Sequence, residues 1–432
     1  MIKGTSKNNV YMSAIFLQDI NSGKGRVDVL IKDGLIAKIQ PTGSEVILCD
    51  DCEIIKGDDK YVLPSFINMH THAPMVLMRG VAEDKQLFDW LNEIWEIEKL
   101  IDEEYIYWAT KLACLEMIKT GTTTYNDQYW HIPYSEKAAI EMGLRPMLSY
   151  VLLDGLDEKK AEIQRTECVQ MYENSKSWSK NSKFLVTIHA IYTVSESSII
   201  WARDFVKKHN LLLHIHISET ETEVNNCIAK YGKSPVKYLD DLGVLSDNVI
   251  AAHTLWLSDE DVDILGKRKV TCVHNINSNL KLASGFKFRY KELKEAGANL
   301  CLGTDGCGSS DNLDMLEVMK TATFIQKAWR GDTSAMPIPD LLEMVGANAD
   351  KVLNINSGRF EEGANADLMI VDTSSFHFIS NSSFFANFIY SAHSDCIESV
   401  ICDGHFLMKN RVVEGEKEIL ENARKQLRKI KI

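Results

Sequence analysis

Leu63-Pro64-Ser65-Phe66-Ile67-Asn68-Met69-His70-Thr71-His72 reads as a short buried strand, Phe66 to Met69, that ends in two histidines. Alternate residues of a strand point the same way, so His70 and His72 aim two imidazoles at one point just past its end. Imidazole nitrogens suit zinc, iron or nickel. Two histidines supply half of a four-ligand site, and the other ligands must come from elsewhere in the chain. Taken alone, His-x-His is more often a hydrogen-bonded pair at a strand terminus than a metal site.

Downstream of His70 the pattern becomes strands alternating with helices. The second strand is Thr122 to Asn126, the third Arg145 to Leu153, the fourth Phe184 to His189 and the fifth Leu211 to His216. Asn248 to His253, Val270 to Asn275 and Asn299 to Asp305 complete the set. Near-continuous apolar strands covered by helices form a parallel sheet. Eight of them in βα order predict an α/β protein with a closed (β/α)8, TIM-like barrel. His70, His72, His189, His216, His253, His274 and Asp305 then fall at the C-terminal strand ends, where such barrels build active sites. One polar strand end is unremarkable, but polar ends on six of eight strands are not explained by core packing.

The flanks read differently. Val27 to Lys32 and Leu35 to Ile39 surround Asp33-Gly34, a hairpin signal, and Asp403-Gly404 is a second one. Leu368 to Asp372 is a strand and Lys417 to Lys431 a terminal helix. Residues 1–62 and 358–432 are expected to pair into one small β-sandwich, interrupted by a barrel of residues 63–357.

The chain has 432 residues, 45% of them hydrophobic, enough for a large core. A net charge of −13 argues against a nucleic-acid surface and against binding acidic membranes. The expected partner is a small-molecule substrate, and a homo-oligomer is compatible with the sequence. The first residues carry no apolar core of signal-peptide length, and no long uncharged apolar run suggests a transmembrane helix. Ten scattered cysteines suit reduced thiols and a cytoplasmic location. Cys49-Asp50-Asp51-Cys52 has no second such pair with which to build a structural zinc site. The acidic run Asp259 to Asp263 reads as a solvated helix start.

A single-metal hydrolytic site needs protein ligands, a water whose pKa the metal lowers, and a proton carrier. His70, His72, one further histidine and Asp305 would provide three imidazoles and a carboxylate. His214 and His216 compete for the third place, since both point inward by parity. His216 lies nearer the strand end, and Glu219, three residues on, is placed to shuttle protons. His214 then sits one layer deeper as a hydrogen-bonded interior residue. His253 could steady the attacking hydroxide, and Asp305 can accept a proton as well as bind metal.

The ordered motifs resemble the amidohydrolase superfamily, in its 5-methylthioadenosine/S-adenosylhomocysteine deaminase and chlorohydrolase-like branch. They are Leu63-Pro64 through Asn68-Met69-His70-Thr71-His72-Ala73-Pro74-Met75 with Arg79-Gly80, then His214-Ile215-His216-Ile217-Ser218-Glu219-Thr220 and Ala251-Ala252-His253. They continue with His274-Asn275, Ser278-Asn279-Leu280-Lys281-Leu282, Leu302-Gly303-Thr304-Asp305-Gly306, Glu362-Gly363 and Ala366-Asp367-Leu368. The resemblance implies one divalent ion, zinc before iron, nickel or manganese, on His70, His72, His216 and Asp305. It assigns proton transfer to Glu219 with His253 and Asp305, and substrate contacts to Glu98, His189, Glu219 and Asp305. His189 stands at the end of strand four, where two-metal relatives carry a modified lysine.

The implied reaction is hydrolytic deamination at C6 of an adenine nucleoside, with another heterocycle (guanine, pterin or triazine) as the alternative and a non-catalytic scaffold disfavoured. There are departures. Ser65 and Phe66 replace glycine and leucine, and Ile276 replaces proline. The family's strand-three arginine, which holds the amino-acid end of adenosylhomocysteine, falls on Tyr150. That departure favours adenosines with a small neutral 5′ group. Without the resemblance, Glu98 reads as a helix-surface charge, and Trp95 and Trp130 as core.

Overall fold

A computed structural model describes residues 14–44, 52–380 and 382–430. Five strands come first: β1 (Ala14–Ser22), β2 (Gly25–Lys32), β3 (Leu35–Pro41), β4 (Cys52–Lys56) and β5 (Lys60–Pro64). Eight follow with helices between them: β6 (Phe66–Thr71), β7 (Thr122–Gln128), β8 (Arg145–Leu152), β9 (Lys183–Ile188), β10 (Leu213–Ile217), β11 (Val249–His253), β12 (Thr271–His274) and β13 (Asn299–Leu302). The last three are β14 (Leu368–Asp372), β15 (Ile397–Cys402) and β16 (His405–Met408).

Strands β6 to β13 pair in sequence order, each parallel to the next. The sheet closes at the seam between β6 and β13. There the Asp305 N–H donates to the His70 carbonyl at 2.9 Å. Asn68 adds a side-chain bridge, donating to Thr304 Oγ1 at 2.7 Å and accepting from Thr304 N at 3.1 Å. Gly303 makes the approach possible, because a Cβ there would meet Asn275 Oδ1 at 2.6 Å and His70 N at 2.8 Å.

Both chain ends enter one mixed sheet of order β16-β15-β14-β5-β1-β2-β3, with β4 beside β1. The junction is the antiparallel pair β5·β14, in which Leu368 faces Pro64. The sheet has its own apolar core, including Leu17, Val29, Ile31, Val62, Leu368 and Ile401. Both predicted hairpin turns are present. Asp33, Gly34, Asp403 and Gly404 all take positive φ, as two-residue turns matching the strand twist require. Arg145, at the start of β8, ties this sheet to the barrel: its buried guanidinium reaches Asp367 at 2.8 Å and Asp403 at 3.0 Å. Pairing with two carboxylates satisfies a charge that would otherwise be costly to bury.

Two expectations need amendment. Eight cysteines are free and buried, but Cys52 is disulfide-bonded, so the thiols are not all reduced. Cys49 lies outside the described residues. The acidic run opens the helix Asp259–Lys267 as expected, but Asp261 is buried, because its carboxylate closes a capping box with Ser258. Among the described residues, no helix is long and apolar enough to cross a membrane.

Candidate active site

Past the end of β6, His72 donates from Nδ1 to the Gln128 carbonyl at 2.7 Å, and on β10 His216 donates from Nδ1 to the His189 carbonyl at 2.8 Å. His70 Nδ1 is hydrogen-bonded to His214 Nε2 at 3.0 Å. With every Nδ1 engaged, Nε2 is the free nitrogen of all three rings. Outer partners of this kind are what orients metal-binding imidazoles. Ligand atoms of His70, His72 and His216 lie within 4.8 Å of one another, as do those of His70, His253 and Asp305. Asp305 Oδ1 is 3.4 Å from His70 Nε2 and 3.3 Å from His72 Nε2. Neighbouring donors around a tetrahedral ion with ~2 Å bonds stand roughly this far apart. His70 Nε2 is fully buried and has no hydrogen-bond partner. A buried nitrogen left bare in a ring of donors fits a metal ligand better than a packing residue. His214 is the deeper residue, held in turn by Asn126 Nδ2 at 3.4 Å.

Glu219 follows β10 on a turn fixed by Glu223, whose carboxylate accepts from the N–H groups of Ser218 and Glu219 at 2.9 and 2.8 Å. Glu219 Oε2 lies 3.6 Å from His253 Nε2, and Ser284 donates to Glu219 Oε1 at 3.4 Å. Asn279 donates to His253 Nδ1 at 2.9 Å, which leaves the ring proton of neutral His253 on Nε2, facing Glu219 and Asp305. Ser218, His253, Thr254 and Asp305 all hold left-handed φ without being glycine. Backbone strain of this kind gathers where a site must be held in one geometry.

The carboxylates are driven apart. Burial, with Asp305 nearby, pushes Glu219 well above the usual range. Burial also acts on Asp305, but the close imidazoles of His70 and His72 outweigh it and hold Asp305 well below the usual range. The two environments pull the carboxyls in opposite directions, Glu219 toward its neutral form and Asp305 toward its ionised form, the kind of separation acid–base catalysis uses. Burial holds His253 and His189 down to about 3, so both rings are neutral.

Above these groups lies a pocket that opens to solvent. One face of the helix Leu87–Glu98 forms a wall with Leu87, Trp90, Leu91, Ile94, Trp95 and Glu98. Trp130 and Tyr192 add further aromatic surface, and among the described residues no lysine or arginine lines the pocket. Glu98 is not a helix-surface charge: Tyr129 donates to its Oε1 at 2.7 Å, and burial pushes its carboxyl up to about 7. Trp95 and Trp130 are half-buried pocket residues rather than core. His189 also lines the pocket. Thr193 donates to the Ala190 carbonyl at 3.2 Å and accepts from His189 Nδ1 at 2.8 Å, which leaves Nε2 as the acceptor of His189.

Two sequence-derived placements change. His274 does not join the site; its ring turns outward and stacks on Phe288 with 4.3 Å between centroids. Tyr150 also faces away, donating to Glu167 at 2.7 Å, while Val151 lines the pocket. Successive strand residues alternate sides, so Tyr150 is no stand-in for a cation facing substrate. The motifs gave no role to Gln128, Tyr129 or Ser284, nor to Asn126 and Asn279, although Asn126 ends the second strand and Asn279 stands within the quoted run Ser278 to Leu282. The one available signal was the polar run Asn126-Asp127-Gln128 closing an otherwise typical strand.

The amidohydrolase family model matches residues 61–407. The chain belongs to the amidohydrolase family. Among curated amidohydrolase relatives, the 5′-deoxyadenosine deaminase of Methanoregula boonei is 39% identical over 418 residues, 95% of this chain and 93% of that one. The 5-methylthioadenosine/S-adenosylhomocysteine deaminase of Thermococcus sibiricus is 40% identical over 385 residues, 89% of this chain and 90% of that one. An adenosine deaminase from Xanthomonas campestris, solved with bound zinc, superposes with a TM-score of 0.90 at 28% identity, covering 97% of this chain and 98% of that one. A triazine hydrolase structure with a TM-score of 0.88 is 18% identical and shares the fold.

Proposed function

We propose that this amidohydrolase deaminates an adenine nucleoside at C6, consuming one water and releasing ammonia and the corresponding hypoxanthine nucleoside. The observation that carries the reading is the gathering of His70, His72, His216 and Asp305, with Glu219 and His253 beside them, at the floor of an aromatic pocket. The names of the curated relatives point to the same substrate class.

His70, His72, His216 and Asp305 would hold one divalent ion, zinc before iron, nickel or manganese. When bound, the metal supplies the Lewis acidity that makes water a nucleophile at neutral pH. The chain's own groups do the rest. Glu219 gives its proton to the ring as the amino-bearing carbon is attacked. Of water's two protons, one passes by way of Asp305 to the departing amino group, which leaves as ammonia, and the other restores Glu219. His253, with its Nε2–H directed between Glu219 and Asp305, steadies negative charge there. Asp305 accepts the proton that water must lose. His189 offers its acceptor nitrogen to the nucleoside, and Glu98 its carboxylate to the sugar hydroxyls. The tryptophans exclude water and stack on apolar parts of the substrate.

In the same reading, residues 1–62 and 358–432 form one supporting domain around a catalytic barrel of residues 63–357, and the enzyme acts in the cytoplasm on a small molecule alone. The test is ammonia release from 5′-deoxyadenosine, methylthioadenosine, guanine, a pterin and a triazine. Turnover of the adenosines above the rest is expected. Activity confined to another heterocycle would overturn the proposal.

A further inference from the structure

Gln128 ends β7 and is 1% exposed. Its backbone carbonyl accepts from His72 Nδ1 at 2.7 Å, and the hydroxyl of the next residue, Tyr129, donates to Glu98 at 2.7 Å. The main chain is therefore anchored at both residues, and the Gln128 side chain lines the pocket between them. Neither Oε1 nor Nε2 of that side chain has a hydrogen-bond partner. An amide buried with both groups unmet is unfavourable unless a ligand completes it. Nothing in the assignments above uses it.

We propose that Gln128 reads the N6/N7 edge of the adenine ring, its Oε1 accepting from the 6-amino group and its Nε2 donating to N7. The inference rests on the nucleoside reading above and adds a specificity residue to it. A primary amide presents one acceptor and one donor side by side, and adenine offers the complementary pair along this edge. The other edge that carries the amino group, through N1, belongs to Glu219, which must deliver its proton there. Glu219 follows β10, and β10 stands three places from β7 in the barrel order, so the two side chains approach the ring from different walls. C6 has to lie above the metal-binding donors, and His72, one of these, is bonded to the backbone of Gln128 itself. The amide therefore meets the base beside the reacting carbon. A guanine base presents two acceptors along this edge and would set its O6 against Oε1, so the same residue disfavours it.

The experiment compares kcat/KM for 5′-deoxyadenosine and its 7-deaza analogue, in which C–H replaces N7, in the native enzyme and in Gln128→Leu. The native enzyme should lose roughly tenfold or more on the 7-deaza compound, the scale of one lost base contact. Gln128→Leu should fall by a similar factor on 5′-deoxyadenosine and show little remaining preference between the two. The native comparison needs no variant, so it stands even if Gln128→Leu does not fold. Equal turnover of both compounds by the native enzyme overturns the Gln128 assignment alone, as does a preference that persists in Gln128→Leu. No turnover of either compound overturns the nucleoside reading, and this inference with it.

Discussion

His214 Nε2 stands 3.0 Å from His70 Nδ1, with both rings fully buried. This contact turns the bare Nε2 of His70 toward His72, His216 and Asp305. His214 thus acts through His70 rather than as a ligand itself. Replacing it with leucine should weaken metal retention ~10–100-fold, the usual scale for losing an outer partner of a metal-binding histidine. Competition with a chelator measures this. Unchanged metal affinity would show that barrel packing alone orients His70.

One tightly held ion per chain is expected by elemental analysis, and His216→Ala should lose most of it. Stripping the metal with a chelator should abolish turnover, and adding back a divalent ion should restore it. Two tightly bound ions per chain, or full metal content in His216→Ala, would remove the four-ligand assignment.

Glu219→Gln keeps the shape of the side chain and removes its transferable proton. Turnover should drop by at least ~10² while metal content stays unchanged. Near-normal activity would mean that another group carries the proton.

Glu98 makes a prediction about pH. Its carboxyl is pushed up from 4.5 to about 7, first by burial, with the Tyr129 hydroxyl acting in the opposite direction. Between those values the folded chain keeps a proton that the unfolded chain has released. The unfolded state then binds fewer protons, so this residue's contribution to stability falls as pH rises through the window. Glu98→Gln should flatten that part of the curve of unfolding midpoint against pH. Substrate binding should show the reverse trend, improving as pH rises past about 7, where Glu98 becomes the better acceptor for sugar hydroxyls. A binding profile identical in Glu98→Gln would separate Glu98 from the substrate.

The pocket bears on the 5′ group as well. With no lysine or arginine among the described residues of its lining, a buried substrate carboxylate would go unpaired. That should cost roughly 2–5 kcal/mol. Hence kcat/KM for 5′-deoxyadenosine and methylthioadenosine should exceed that for S-adenosylhomocysteine. A preference for the last would mean that a cation reaches the carboxylate from outside the pocket wall.

Strand order, the barrel and the polar residues at its strand ends were legible in the sequence, while the ligand set His70, His72, His216 and Asp305 came with the family resemblance. Buried parallel strands leave uninterrupted apolar runs, and polar residues that end most of them stand out against that background. The two Asp-Gly turns were legible too, because left-handed φ at two consecutive positions restricts residue choice. Tertiary structure decided what periodicity cannot encode. Tyr150 and Val151 are neighbours in sequence, yet one meets Glu167 outside the barrel and the other the pocket. His274 ends its strand as His216 does, but packs on Phe288 instead of joining the donors. Glu98 looks like any helix-end carboxylate until Tyr129, 31 residues on, donates to it. Gln128 becomes a candidate only once its amide is seen to be buried without a partner. Local sequence fixes where a backbone turns and which faces are apolar. The partner a polar side chain meets is set by strands distant in the chain, and only closing the barrel brings them together.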